Sequence, residues 1–122
     1  MARILIVDDS PTETFRFREI LTKHGFDVIE ASNGADGVTV AQAELPDLVL
    51  MDVVMPGVNG FQATRQIVRG SKTKHIPVVI VSTKDQATDR VWGKRQGARD
   101  YLTKPVDEQE LIKVIKQNLN AG

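Results

Sequence analysis

The sequence predicts an α/β fold with a doubly wound parallel sheet. Five short apolar runs alternate with five stretches that carry helix signals, and no linker or low-complexity segment separates them. Three of the runs are apolar and mostly β-branched throughout, which is typical of strands with both faces covered. Strict alternation of strands and helices implies right-handed crossovers in one sheet. Since 122 residues is a common size for one domain, we expect a single domain at residues 1–122.

The first half of the chain supplies two strands and two helices. Residues Ile4–Val7 predict the first strand, and Ser10 can cap a helix that has Pro11 at its first position. Gly25 stands where a left-handed residue ends this helix. The next two elements are a strand at Phe26–Ile29 and a helix after Asn33, with Val38 and Ala41 on one side.

The second half of the chain repeats the alternation three times. Its strands are the runs Leu48–Met51, Val78–Val81 and Tyr101–Leu102. Gly93 lies inside the fourth helix and is expected to loosen it, at a cost of about 1 kcal/mol relative to Ala. Gly60 precedes the third helix, in which Phe61, Thr64, Ile67 and Val68 have helical spacing. The fourth helix is expected near Gln86 to Gln96. Asp107 can cap the fifth helix, which has an apolar stripe of Leu111, Val114, Ile115 and Leu119.

Composition excludes several classes of function. Lys+Arg and Asp+Glu both number 16, so the formal net charge is zero and a broad surface for nucleic acid is not expected. The lack of Cys excludes disulfides, thiolate catalysis and cysteine-type zinc sites. The apolar runs are too short to cross a bilayer, and the amino terminus lacks a signal-peptide cleavage site. We therefore expect a cytoplasmic protein that neither inserts into a membrane nor binds nucleic acid, and we separately expect a monomer.

Acidic, hydroxyl and lysine side chains follow the predicted strands. In open α/β sheets, ligands bind outside the carboxyl ends of the strands, so these side chains should share one rim. Crowded carboxylates repel one another, and a hard cation such as Mg²⁺ relieves the repulsion. A single Asp at a strand end often only caps a helix, but three acids opposite a lysine favour a metal site. The residues are Asp8 and Asp9 after the first strand, Asp52 after the third, Ser82 and Thr83 after the fourth, and Thr103 and Lys104 after the fifth.

Asp52 is the candidate nucleophile of this rim. A carboxylate can accept a phosphoryl group and become an acyl phosphate. Such a transfer depends mainly on neutralising the charge of the phosphoryl oxygens. Mg²⁺ would supply part of that charge, Lys104 a positive point charge, and Ser82 a hydrogen bond. The position of Lys104, directly between an apolar strand and Pro105, distinguishes it from an ordinary surface lysine.

Four motifs, in this order and spacing, resemble those of response-regulator receiver domains. They are Ile6–Ser10, Leu50–Gly57 followed by Gly60, the pair Ser82–Thr83, and Tyr101–Pro105. The likeness covers essentially the whole chain. It implies a flavodoxin-like sheet of five strands in the order 2-1-3-4-5, as in CheY, with five helices. It also implies a phosphoacceptor for a histidine kinase, with slow self-catalysed phosphotransfer and dephosphorylation.

The resemblance implies roles for the acidic residues. Asp9 and Asp52 would bind Mg²⁺ directly, Asp8 would act partly through water, and the backbone carbonyl of Val54 would add a ligand. Lys104 would contact the phosphoryl oxygens, and its bond to Pro105 would be cis.

The resemblance also implies a switch. Ser82 would contact the phosphoryl oxygens, and the ring of Tyr101 would turn inward when the hydroxyl moves. The new charge would thereby remodel the face made by the fourth helix, fifth strand and fifth helix. We include Trp92 and Arg95 with Tyr101 in this partner face, although a helical Trp is equally often an ordinary packing residue.

Two positions depart from the common pattern of the family. Val54 is apolar where many receivers have a polar side chain, and Lys84 is basic. By likeness both flank the water that hydrolyses the acyl phosphate. Val54 cannot orient that water, whereas Lys84 could hold it or pair with the phosphoryl group, so the net effect on phosphoryl lifetime stays open.

Two further stretches resemble small stand-alone receivers of the PilH type, which belong to the type IV pilus chemosensory system and act in twitching motility. They are Gly60–Gln66 and Val91–Asp100. A pilus motor or a motor regulator is then the expected output partner. The alternative is a phosphate sink that competes for a shared kinase.

Other classes of function fit the residues less well. A haloacid dehalogenase-type phosphohydrolase needs an Asp two residues after its nucleophile, and Val54 cannot transfer protons there. A flavin carrier must receive a phosphate in its first strand-to-helix loop, where Asp8 and Asp9 would repel it. A binding module with a vestigial site is disfavoured by the complete residue set.

Overall fold

Five strands form one parallel sheet in the computed structural model, which describes residues 1–120. The strands are β1 (Arg3–Val7), β2 (Asp27–Ala31), β3 (Leu48–Met51), β4 (Val78–Ser82) and β5 (Asp100–Thr103). The helices that alternate with them are α1 (Pro11–Lys23), α2 (Gly34–Glu44), α3 (Gly60–Arg69), α4 (Ala87–Arg95) and α5 (Glu108–Asn120). The strand order is β2-β1-β3-β4-β5, which confirms the predicted flavodoxin-like fold.

Each face of the sheet is covered by its own apolar core. Side chains alternate between the two faces of a strand, so Ile4 and Ile6 of β1 enter one core while Leu5 and Val7 enter the other. The first core contains buried residues of α1 and α5, and the second contains those of α2 and α3. Burial on both sides is the reason that these strands are apolar at every position. Within residues 1–120, no helix combines the length and apolar character needed to cross a lipid bilayer.

Several sequence-predicted details of the helices are confirmed. The Ser10 hydroxyl caps α1 by accepting the Glu13 N–H at 3.3 Å, and the Asp107 carboxylate accepts the Glu110 N–H at 3.2 Å in the first turn of α5. Gly25 has a φ of 87°, the left-handed conformation expected after α1. The Lys104–Pro105 peptide bond is cis, as the family resemblance implied.

Several predicted element boundaries differ from the observed ones by one or two residues: β1 begins at Arg3, β2 and β4 end at Ala31 and Ser82, and β5 spans Asp100–Thr103. Two of the differences have a clear physical cause. Gly60 does not precede α3 but begins it, because Asn59 is the cap and forms a reciprocal pair of hydrogen bonds with Gln62. Phe26 does not belong to β2, since its N–H donates to the Leu21 carbonyl and closes the turn after α1.

Gly93 has a packing role that the sequence analysis did not predict. It is buried where α4 packs against the sheet, and a Cβ atom there would lie 3.0 Å from Ile80 Cδ1 and 3.0 Å from Tyr101 Cδ2. The missing side chain therefore allows a close approach of α4 to β4 and β5, which a helix-propensity argument does not consider.

Candidate functional site

Three carboxylates meet at the carboxyl ends of the adjacent strands β1 and β3. The strands pair with Val7 opposite Met51, and the Asp52 N–H donates to the Val7 carbonyl at 2.9 Å. This register brings Asp8 and Asp52 side by side. One carboxylate oxygen from each of Asp8, Asp9 and Asp52 lies within 4.8 Å of the others. Asp8 and Asp52 are 5% and 8% exposed, whereas Asp9 is exposed at the rim.

Lys104 reaches the same carboxylates from the end of β5. Its Nζ lies 2.9 Å from Asp8 Oδ2 and 3.7 Å from Asp52 Oδ1, and its side chain is 9% exposed. The Lys104 N–H donates to the Ser82 carbonyl at 2.8 Å, which ties the loop after β5 to the end of β4. The structure thus brings together the three acids and the lysine predicted from sequence.

The environment of Asp52 disfavours its charge. Burial is the largest cause and raises the pKa of Asp52 to about 6, against the lowering influence of Lys104. The negative charge of Asp8 and, to a smaller extent, that of Asp9 raise the pKa further, while the Val53 N–H lowers it. A divalent cation among the three carboxylates would reverse these influences, since it favours the ionised form of each.

Lys104 is charged despite its burial. Desolvation by itself would lower the pKa of Lys104, but the hydrogen bond to Asp8 and the charges of Asp52 and Asp8 together raise it above its usual range. A fixed positive charge therefore stands beside the Asp52 carboxylate.

Ser82, the last residue of β4, and Tyr101, on the neighbouring strand β5, are both buried. Ser82 is fully buried, and its hydroxyl accepts the Lys84 N–H at 3.1 Å. The Tyr101 ring is 6% exposed, and its hydroxyl donates to the Lys84 carbonyl at 2.6 Å. The ring occupies the inward position, and burial is the largest cause that raises the pKa of Tyr101.

The remaining residues predicted for the site lie at its edge or on α4. Val54 is 58% exposed, and the Nζ of Lys84 lies 3.8 Å from Asp89 Oδ1. Trp92 is 49% exposed and Arg95 is also exposed, so both are accessible to a partner. Tyr101, the third member of the predicted partner face, is not accessible because it is buried.

Sequence reasoning did not identify Arg90 as a residue connected to the site. Its guanidinium donates to the Tyr101 carbonyl at 3.1 Å and to the Thr103 hydroxyl. No local sequence signal predicts these contacts, because Arg90 is an unremarkable helix residue and its acceptors are on the next strand.

The donor set of the site suits Mg²⁺. Hard oxygen ligands from a few carboxylates, with room for water or phosphate oxygens, are what this ion takes in proteins. Asp8, Asp9 and Asp52 offer such oxygens, and Asp9 is open to solvent. The buried pair Asp8–Lys104 already balances one negative charge, which leaves the other two carboxylates to be compensated by the cation.

Comparisons with known proteins agree with this arrangement. PilH of Pseudomonas aeruginosa is 67% identical over 115 residues, which span 94% of this chain and 95% of PilH. The response regulator PleD of Caulobacter vibrioides is 38% identical over 115 residues, which are 94% of this chain and 25% of PleD.

Solved structures show the same fold. The chemotaxis protein CheY4 of Vibrio cholerae superposes with a TM-score of 0.90 at 29% identity, over 96% of this chain and 98% of that one. The receiver domain of a sensor histidine kinase from Pseudomonas aeruginosa superposes with a TM-score of 0.91 at 27% identity, over 98% of each chain. That structure has a magnesium ion coordinated in its active-site cleft.

Residues 4–116 match the response regulator receiver domain family. Members of this family accept phosphate from histidine kinases in two-component signalling, and they bind Mg²⁺ in an acidic site. With the strand order, the acidic site and these matches in agreement, the chain belongs to the response regulator receiver domain family.

Proposed function

We propose that Asp52 is the phosphoacceptor of this receiver and that the reaction depends on Mg²⁺. The observation that supports this most is the position of Lys104, whose Nζ lies 3.7 Å from Asp52 Oδ1 and 2.9 Å from Asp8 Oδ2. A buried carboxylate with a fixed cation beside it can receive a phosphoryl group whose oxygens need positive charge. We also propose that residues 1–122 form one receiver domain.

The proposed step is a displacement at phosphorus. An oxygen of Asp52 attacks the phosphoryl group of a kinase phosphohistidine and forms a P–O bond. The P–N bond breaks, and its electron pair returns to the imidazole nitrogen, which takes a proton. Slow, self-catalysed attack of water on the acyl phosphate then breaks the bond to Asp52, which releases inorganic phosphate and restores the carboxylate. In this proposal the protein is a phosphoacceptor and not a classical enzyme.

The chain's own residues have separate parts in this proposal. Asp9, Asp52, the backbone carbonyl of Val54 and, partly through water, Asp8 hold Mg²⁺, which supplies charge neutralisation for the phosphoryl oxygens. Lys104 stabilises the charge that develops on these oxygens.

Ser82 and Tyr101 transmit the change to the face made by α4, β5 and α5. The Ser82 hydroxyl donates to a phosphoryl oxygen; in the present structure it accepts the Lys84 N–H through an oxygen lone pair, which leaves its O–H available as a donor. Trp92 and Arg95, both exposed on α4, contact the partner. Exposed Val54 does not orient the hydrolytic water, whereas Lys84, whose Nζ lies 3.8 Å from Asp89 Oδ1, either holds that water or pairs with the phosphoryl group.

The acceptor assignment is tested by labelling with a small phosphodonor. Asp52→Asn removes the nucleophilic carboxylate while keeping its shape, so the phosphorylated species should disappear from the intact-mass spectrum. Asp85→Asn, a change of the same kind at an exposed position, should label like the wild type. Peptide mass spectrometry that locates the phosphate on another residue would refute the assignment.

We further propose a role in type IV pilus twitching motility, supported by the 67% identity to PilH over nearly the whole chain. The output partner is then a pilus motor or a motor regulator. The competing role, a phosphate sink for a shared kinase, uses the same acceptor chemistry and differs only in what the phosphorylated protein binds.

Partner binding distinguishes these two roles. The phosphorylated chain should bind a pilus motor ATPase more tightly than the unphosphorylated chain, because the added charge changes the α4–β5–α5 face. Binding can be measured by biolayer interferometry, with Asp52→Asn exposed to the same phosphodonor as the control. Rapid loss of phosphate together with no binding to any pilus motor ATPase would favour the sink.

A further inference from the structure

Arg90 joins α4 to β5 through three contacts on two residues. Its guanidinium donates to the Tyr101 carbonyl at 3.1 Å and to the Thr103 hydroxyl, and its Cζ lies 5.3 Å from the centre of the Tyr101 ring. The cation thus lies against the face of the ring, while its N–H groups bind the backbone carbonyl of Tyr101 and the side-chain hydroxyl of Thr103. Planar guanidinium groups suit this combination of stacking and directed hydrogen bonds better than lysine does.

The Tyr101 ring is enclosed by elements that Arg90 keeps together. Its hydroxyl donates to the Lys84 carbonyl, and one edge faces Gly93, where even a Cβ atom would approach Cδ2 to 3.0 Å. The α4 side of the enclosure therefore contains a glycine and the arginine. Glycine has no side chain to retain the ring, whereas the guanidinium of Arg90 lies over it.

The same arginine is linked to the acidic site through the chain. Thr103, which accepts its N–H, immediately precedes Lys104, whose amine lies 2.9 Å from Asp8. The Lys104 N–H donates to the carbonyl of Ser82. A shift of the Tyr101 ring that displaces Arg90 would therefore act on the segment that carries the site lysine.

Arg90 differs from the other arginine of α4. Arg95 has no hydrogen bond or ion pair with other side chains among residues 1–120. Arg90 is also at an exposed position, but its guanidinium donates hydrogen bonds to two uncharged acceptors on β5. An arginine serving only solubility would remain in solvent, since ordering its long side chain costs conformational entropy.

We propose that Arg90 is a positioning residue that holds the Tyr101 ring inward and couples it to the segment bearing Lys104. This assignment extends the proposed function, because it makes Arg90 part of the switch that phosphorylation of Asp52 operates. The ring contact itself exists whether or not Asp52 is the acceptor.

The test uses the fact that Tyr101 is the single tyrosine of the chain. In the wild type, NMR should show strong nuclear Overhauser contacts from the Tyr101 ring protons to Gly93 and to the Ile80 methyl group. Arg90→Met keeps the length of the side chain but removes the cation and its donors, and should lower the inward population of the ring roughly tenfold. Arg95→Met, the matched control on the same helix, should leave these contacts unchanged.

A second variant and a second condition separate positioning from a general loss of structure. Arg90→Lys keeps a cation near the ring but loses the planar guanidinium that donates two hydrogen bonds at once. The inward population of the Tyr101 ring in this variant should therefore be lower than in the wild type and higher than in Arg90→Met. Mg²⁺ with beryllium fluoride, an analogue of the phosphoryl group, should restore the Tyr101 contacts in Arg90→Met. Simple misfolding would not be reversed in this way.

The outcomes distinguish this proposal from the acceptor assignment. Unchanged Tyr101 contacts in Arg90→Met and Arg90→Lys would overturn the role of Arg90, whatever the labelling of Asp52 shows. Loss of the contacts without recovery in beryllium fluoride would overturn the coupling to the site. A label found away from Asp52 would refute the acceptor assignment and leave the comparison of the ring contacts as it stands.

Discussion

At the scale of single residues, Asp52 is held in an environment that opposes its charge. Burial raises its pKa from 3.8 to about 6, and Lys104 only partly compensates. In the unfolded chain the pKa is ordinary, so between about pH 4 and 6 the folded state binds more protons than the unfolded state. The stability that protonated Asp52 contributes is therefore complete below about pH 4 and is lost as the pH rises through 6.

This linkage predicts that Asp52→Asn stabilises the protein at neutral pH. Asparagine has no charge to desolvate, so in metal-free buffer at about pH 7.5 the free energy of unfolding should rise by about 1–3 kcal/mol. The gain should shrink as the pH falls and vanish below about pH 4, where the wild-type carboxyl is protonated in both states. Urea unfolding across this range, in the presence of a chelator, measures the effect.

The exposed Asp85→Asn serves as the control and should change little at any pH. Mg²⁺ should narrow the difference between wild type and Asp52→Asn, because the ion binds the folded wild type more strongly than the variant. A gain that is equal at acidic and neutral pH would contradict the burial of an ionised Asp52.

Residues next to strand ends were the most predictable part of the site. Asp8, Asp9, Asp52 and Lys104 each follow an apolar run, and parallel pairing brings such positions to one rim whatever the details of packing. Arg90 lacks this kind of signal. Its acceptors become neighbours only after α4 packs on β5, which a pattern read along the chain cannot show.

At the scale of elements, hydrophobic pattern fixed the type of each strand and helix but not every boundary. The apolar stripe of α5 and the uniform runs of β1, β3 and β4 depend on burial, which the sequence records directly. The start of α3 depends instead on which polar side chain caps it, and Asn59 competes with Gly60 for that place in the sequence.

The structural roles of the glycines were the hardest to predict from the sequence. Close approach requires a glycine at position 60, since a Cβ atom there would lie 1.9 Å from the Asp52 carbonyl oxygen, and it favours a small residue at position 93, where a Cβ atom would lie 3.0 Å from Tyr101 Cδ2. Helix propensity treats both as simple losses of stability. In the folded chain they let α3 approach the backbone of Asp52 and let α4 approach β4 and β5 at Ile80 and Tyr101.

At the scale of the whole molecule, the net charge is zero, but two parts of the chain carry opposite charges. Residues 60–99, which form α3, β4 and α4, contain nine basic residues (Lys or Arg) and two acidic residues (Asp or Glu). Residues 1–59 contain four basic and ten acidic residues. In the sheet order, β4 lies toward one edge while β1 and β2 lie at the other. The acidic site and the basic helix α4 therefore present fields of opposite sign to approaching partners.

This asymmetry predicts that the protein binds to both cation and anion exchangers at about pH 7.5 and low salt, despite its zero net charge. Replacing Arg95 and Arg99 with Gln should weaken retention on the cation exchanger, because both are exposed in the basic part. Lys113→Gln and Lys116→Gln together, the matched control on α5, should weaken it less. Since the Debye length falls to about 8 Å at physiological ionic strength, retention on both resins should decline steeply with salt. Equal effects of the two double variants would mean that the basic charge is spread evenly over the surface, which would contradict the charge asymmetry inferred here.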